Sequence, residues 1–153
     1  MRIILSLLTV LFVVVIACNK DKFQTKPTIR IKSLSSNFIP ANGSLVITLE
    51  CTDKEGDVKD ILVIIKNRLN KRTTRTVRNT LWYRFPDFPN SMRTEIVATL
   101  NYQDILSAEN PPTIPGSNPP QRELDTLILK LAVQDIAGNR SDTISTKQIF
   151  VVR

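Results

Sequence analysis

Residues 126–135 alternate strictly, with Leu127, Leu129, Leu131 and Val133 on one side of an extended chain and Thr126, Lys130 and Gln134 among those opposite. A period of two with one apolar and one polar face predicts a strand of an antiparallel sheet that is buried on one side and wet on the other. Comparable runs rich in Val, Ile, Thr and Leu, bounded by Pro, Gly, Asn and Asp, predict strands at 28–34, 44–52, 60–68, 73–85, 93–101, 126–135 and 143–152. About seven such strands make an antiparallel β-sandwich the expected all-β fold. No segment has a long helical period, although 102–109 could form a helical turn through Gln103, Asp104, Ile105 and Leu106. Between the fifth and sixth strands, Asn110-Pro-Pro-Thr-Ile-Pro-Gly-Ser-Asn-Pro-Pro120 cannot supply a full ladder of donors and reads as a long surface loop, functional or a disordered insertion.

The chain opens differently. After Arg2, an apolar stretch from Ile3 to Ile16 ends on Ala17, directly before a cysteine, which is the layout of a secretory signal. It is shorter than the roughly 20 apolar residues a spanning helix needs and stops at the charged run Asn19-Lys20-Asp21-Lys22. Within it, Val15-Ile16-Ala17-Cys18 resembles the lipobox of bacterial lipoproteins. That resemblance implies cleavage of residues 1–17, acylation of Cys18 and anchoring in a membrane by two or three chains, each buried CH₂ contributing about 0.8 kcal/mol. Asn19 and Lys20, in place of the Asp that retains many lipoproteins at the inner membrane, favour delivery to the outer membrane, facing either the periplasm or the exterior. Residues 18–26 then form a short flexible tether and 27–153 one domain. With Cys18 acylated, Cys51 has no partner in the chain. Its place on the face of Leu45, Ile47 and Leu49 predicts a buried apolar side chain.

Two turns carry a second resemblance. Thr52-Asp53-Lys54-Glu55-Gly56-Asp57 and Val133-Gln134-Asp135-Ile136-Ala137-Gly138-Asn139-Arg140-Ser141 look like turns of bacterial immunoglobulin-like and cadherin-like extracellular domains. In the second, Gly138-Asn139 can adopt positive φ while Asp135 and Ser141 bond turn amides. The resemblance implies an immunoglobulin-like sandwich. It departs in having no cysteine on the sixth strand to meet Cys51, and in placing Trp82 within a polar run.

The chain contains no histidine, which removes the commonest general base and neutral metal ligand, and it has neither a nucleophile elbow nor a phosphate-binding glycine loop. The expected role is non-catalytic, with no resident cofactor other than a candidate Ca²⁺. Asp53, Glu55 and Asp57, with Asp60 following, offer the oxygen ligands a hard cation accepts, and Asp135 could join from a neighbouring loop, although Asp and Gly are equally ordinary turn residues.

A second constellation is basic. Lys66, Arg68, Lys71, Arg72, Arg75, Arg78 and Arg84 fall within 66–84 without one acidic residue, and these seven charges equal the formal net charge of +7. With Trp82, Tyr83 and Phe85 they would form a basic-aromatic ribbon. For an envelope protein this fits an acidic glycan or a lipid headgroup, and not nucleic acid. The same charges could equally keep a sheet edge from pairing with other chains. Trp82 and Tyr83 should point to opposite faces, so at most one packs inward. Together these features lead to the expectation of a lipid-anchored structural or binding module, accessory to an outer-membrane assembly. Glycan or headgroup binding through the ribbon and Ca²⁺-dependent adhesion are the alternatives.

Overall fold

Each strict alternation becomes a strand that buries its apolar face. The computed structural model describes residues 26–70, 80–106 and 110–153. Among these, the order is β1 (Thr28–Leu34), β2 (Phe38–Ile39), β3 (Ser44–Thr52), β4 (Ile61–Arg68), β5 (Thr80–Arg84), β6 (Arg93–Asn101), a helical turn α1 (Tyr102–Ile105), β7 (Asp125–Gln134), β8 (Ile144–Ser145) and β9 (Ile149–Val151). Residues 1–25, which include Cys18, the expected signal peptide and most of the expected tether, lie outside the described residues, as do 71–79 and 107–109.

The strands form two sheets, one in the order β1-β3-β6 and the other in the order β2-β9-β7-β4-β5, with β8 also paired to β7. All pairings are antiparallel except that of β2 with β9. Taking β1, β3 and β6 as A, B and E, and β4, β7 and β9 as C, F and G, gives the immunoglobulin-like arrangement, with β5 added beyond C. No strand among the described residues stands in the D position beside β6.

Between the sheets lies one apolar core. Leu45, Ile47, Leu49 and Cys51 of β3 and Ile96 and Leu100 of β6 meet Leu62 and Ile64 of β4, the Leu127-Leu129-Leu131-Val133 column of β7, and Ile149 and Val151 of β9. A fully buried side chain of this size contributes roughly 1.5–3 kcal/mol. Cys51 is buried and free, and burial, followed by the charge of Glu50, pushes its thiol up to about 12. It is an apolar core residue without a reactive thiolate at neutral pH.

Three elements differ from expectation. The strand expected at 143–152 is two short ones, because the Thr146 hydroxyl takes the place of a ladder carbonyl: Leu129 N–H donates to Thr146 Oγ1 at 3.0 Å while Thr146 N–H donates to Leu129 O at 2.9 Å. The two-residue β2 is too short to show a period. The proline-rich loop has order of its own, with Ile114 N–H donating to Gln121 O at 2.8 Å and Glu123 N–H to Pro112 O at 3.0 Å.

Candidate functional site

The turn that follows β3 gathers the acidic residues. Asp53 N–H continues the ladder to Met92 O at 2.9 Å, and Asp53 Oδ2 accepts the Asp57 N–H at 3.2 Å, closing the loop on itself. Gly56 permits the closure: its φ is +74°, and a Cβ there would stand 3.1 Å from the backbone carbon of Ser91, whose N–H donates to Gly56 O at 3.0 Å. As a result, one carboxylate oxygen from each of Asp53, Glu55 and Asp57 lies within 4.8 Å of the others. Asp53 is only 5% exposed, Asp57 is half-buried and Glu55 is exposed.

Two oxygens in this group are anomalous. Asp53 Oδ1 and Asp57 Oδ1 are both buried and have no hydrogen-bond partner among the described residues. An unsatisfied buried polar atom costs about 1–3 kcal/mol, and more when it carries charge. The Asp57 carboxyl is raised above its usual range, first by burial, then by its contact with Asp53, then by the charges of Asp135, Asp53 and Glu55. Crowded, desolvated carboxylates with inward oxygens left open are the donor set a hard cation satisfies, since it neutralises the charge and coordinates the bare oxygens together.

The last hairpin packs beside this loop, with Ile136 N–H donating to Asp57 O at 3.3 Å. Asp135 is fully buried, and its role differs from that of an open ligand: Oδ1 accepts Asn139 N–H at 2.7 Å and Oδ2 accepts Asn139 Nδ2 at 2.8 Å. It holds the turn through Gly138, at φ +89°, and reaches Asp57 by charge. Ser141, as expected from the motif, stitches the same hairpin, its Oγ accepting Val133 N–H at 3.0 Å. Asp60 turns elsewhere, with Oδ2 accepting Gln134 Nε2 at 3.0 Å.

Among the described residues, two cations of the expected basic-aromatic ribbon, Lys66 and Arg68, turn away from the solvent face. The alternation of β4 turns Lys66 and Arg68 to the same side as Leu62 and Ile64, and both are drawn inward. Lys66 Nζ donates to Asp104 O at 2.7 Å and Arg68 Nη2 to Ile105 O at 2.9 Å, so both cations serve the carbonyls around α1. Their long aliphatic stems let them cross the edge of an apolar core, which is why a charge count misplaces them. Among the expected ribbon residues, Arg84 and Trp82 are exposed, Trp82 at 57%, while Tyr83 is half-buried against the core. Trp82 and Tyr83 thus do face opposite sides. Lys71, Arg72, Arg75 and Arg78 lie outside the described residues.

Sequence reasoning missed a further buried charge, Asp125 at the start of β7, which is fully buried with its carboxylate 3.2 Å from both Arg68 Nη1 and Arg153 Nε. Its signal, an acidic residue beside a leucine alternation, resembles a strand terminus in any exposed turn. Comparison with protein-family models, with curated proteins and with solved structures gave no match.

Proposed function

We propose that the chain is a non-catalytic binding module of the bacterial cell envelope, held at the outer membrane through lipid on Cys18, with a Ca²⁺ ion ordering the loop end of its sandwich. The observation that carries the cation is the pair of buried, unpartnered carboxylate oxygens on Asp53 and Asp57. Asp53, Asp57 and Glu55 supply the ligands, and Asp135 adds charge while keeping the neighbouring hairpin in place.

The position of the cluster supports the anchor's part in this reading. Lys26, where the tether ends, pairs with Asp142 and lines a shallow depression together with Thr28, Thr52, Asp53, Lys54 and Met92. Residues 18–26 reach at most about 30 Å. A lipid on Cys18 would therefore hold the acidic end of the domain within that distance of the membrane, where a bound cation would stiffen the exit of the tether. Glycan or headgroup binding through residues 66–85 loses support, because Lys66 and Arg68 are turned into the protein.

Melting of the full chain tests the cation. Extracellular Ca²⁺ modules bind at about 0.1–1 mM, so 10 mM Ca²⁺ should stabilise by about 1.4–2.7 kcal/mol and raise Tm by about 5–10 °C over a chelated sample. Asp57→Asn should act in the opposite sense in chelator, raising Tm by relieving repulsion, and should abolish the Ca²⁺ response. Equal Tm values of the wild-type chain in Ca²⁺ and in chelator would remove the cation from the proposal.

The pH dependence carries the same sign. A carboxyl raised in the folded state holds more protons there than in the unfolded chain, so its contribution to stability is lost as pH rises through the folded value. In chelator, the wild type should gain stability relative to Asp57→Asn as pH falls through the folded value toward the ordinary Asp range at about 3.9. Glu50 works in the other direction, held down at about 2 by Arg30 and Arg93, and its contribution fades only at lower pH.

The anchor has its own test. Cys18→Ser should abolish incorporation of labelled palmitate and move the protein from the membrane fraction to the soluble one; unchanged labelling would refute lipidation at Cys18.

A further inference from the structure

The free edge of β6 carries a distinct feature. Met92 O accepts Asp53 N–H, so it faces β3, and the alternation of an antiparallel ladder then turns the N–H and C=O of Arg93, Glu95, Val97, Thr99 and Asn101 away from β3. The protein closes both ends of this row with its own side chains. Ser91 Oγ accepts Arg93 N–H at 3.3 Å and donates to Arg93 O at 2.6 Å, and Asp104 Oδ2 accepts Asn101 N–H at 3.2 Å. Between the caps, the outward N–H and C=O groups of Glu95, Val97 and Thr99 have no partner among the described residues.

Beside this open row runs a groove of about 480 Å³, where the D strand of a constant-type immunoglobulin sandwich would lie. One wall is β6 itself, with Ile96 and Ala98; the other is Leu62 and Tyr83 of the larger sheet with Phe85 and Phe88 of the segment that follows β5. The groove is therefore apolar on both sides and bordered by a backbone template with a strand's spacing. Its rim carries Arg84, which is exposed, and Lys59, whose ammonium lies 5.6 Å from the centre of the Phe88 ring. Glu95, the acidic residue of the edge, is already paired across the sheet with Lys32.

We infer that β6 is a strand-addition site for an extended segment of another polypeptide, with apolar residues at alternate positions and an acidic residue at its flank. The added backbone would pair with Glu95, Val97 and Thr99, and its alternate side chains would enter the groove, as in other peptide recognition by β-augmentation. A second copy of this chain fits less well. The β6 of a neighbouring copy could satisfy the hydrogen bonds, but its inward-facing residues, Ile96 and Leu100, are already buried in its own core and would leave the apolar walls uncovered. The cationic rim and the net charge of +7 select for acidic flanks.

Amide hydrogen exchange, resolved by residue on the purified full chain, tests this. The probe is a short synthetic peptide of alternating valine and threonine with glutamate at each end. At about ten times its Kd, exchange at Glu95, Val97 and Thr99 should slow about tenfold. The same peptide with its valine and threonine amides all N-methylated should have no effect, because it cannot donate to the edge. Val97→Pro removes an outward donor without breaking a bond to β3, and should abolish protection. Phe88→Ala leaves the ladder intact and should weaken binding by removing a wall of the groove. Three results would overturn the inference: no slowing at millimolar peptide, equal slowing by the N-methylated peptide, or slowing of these amides on raising the protein concentration alone, which would assign the edge to self-pairing.

Discussion

Asp125→Ala should lower the unfolding free energy by about 3–5 kcal/mol, the effect expected when one partner of a buried ion pair is removed. Asp125 is fully buried, and its carboxylate stands 3.2 Å from Arg68 Nη1 and 3.2 Å from Arg153 Nε. Arg68 leaves the end of β4, Asp125 opens β7, and Arg153 follows β9, so three strands of the larger sheet converge on one carboxylate. The network extends outward through Arg153 Nη1, which donates to Asn110 Oδ1 at 3.1 Å, and inward through the Arg68 bond to Ile105 O. Deleting the carboxylate leaves the Arg68 guanidinium, with its side chain only 8% exposed, without the anion that compensates its desolvation. Urea denaturation should show the loss as a shift in midpoint at constant m, with Tm lower by about 10–20 °C. Replacing both partners, Asp125→Leu with Arg68→Met, should recover most of the loss, because an apolar pair of similar volume removes both desolvation costs. A double variant as unstable as Asp125→Ala would show that the network contributes net stability.

The second large effect lies in the core. Leu131→Ala should cost about 3–5 kcal/mol, the sum of lost transfer energy and the cavity left behind. Leu131 is fully buried at the middle of β7, between Ile64 of β4 and Ile144 of β8 in the ladder, so neighbours on both sides hold the cavity open. Leu131→Met conserves volume and should cost less than about 1.5 kcal/mol. Equal losses for the two variants in denaturant titration would show that the site is sensitive to shape and not to volume.

Much of the sandwich was legible because its strands are written in a local period. The limits of β1, β3 and β6 are those read from alternation, and Cys51 sits on the face of Leu45, Ile47 and Leu49 as the spacing requires. The break between β8 and β9 was not legible, because Thr146 supplies a hydroxyl where the pattern assumes a backbone group. The acidic turn could be located from composition, but Asp135 could not be separated from Asp53 and Asp57. Only their partners distinguish them, Asn139 for the first and no hydrogen-bond donor at the inner oxygens of the other two. The basic run misled for a related reason: a lysine or arginine on a strand has a face set by register, and its stem is apolar enough to accept the buried one.

The amino-acid sequence by itself determined that this chain is built of antiparallel strands, which residues point together and where the turns fall, since each is a property of a few consecutive residues and the two-residue period of the extended backbone. Tertiary structure alone decided which strand ends as an edge and which cations are buried. It also decided that two buried carboxylate oxygens are left without a donor among the described residues, and that β6 lies open beside an apolar groove. Those outcomes depend on strand order and on the distance between segments far apart in the chain, and no local pattern encodes either.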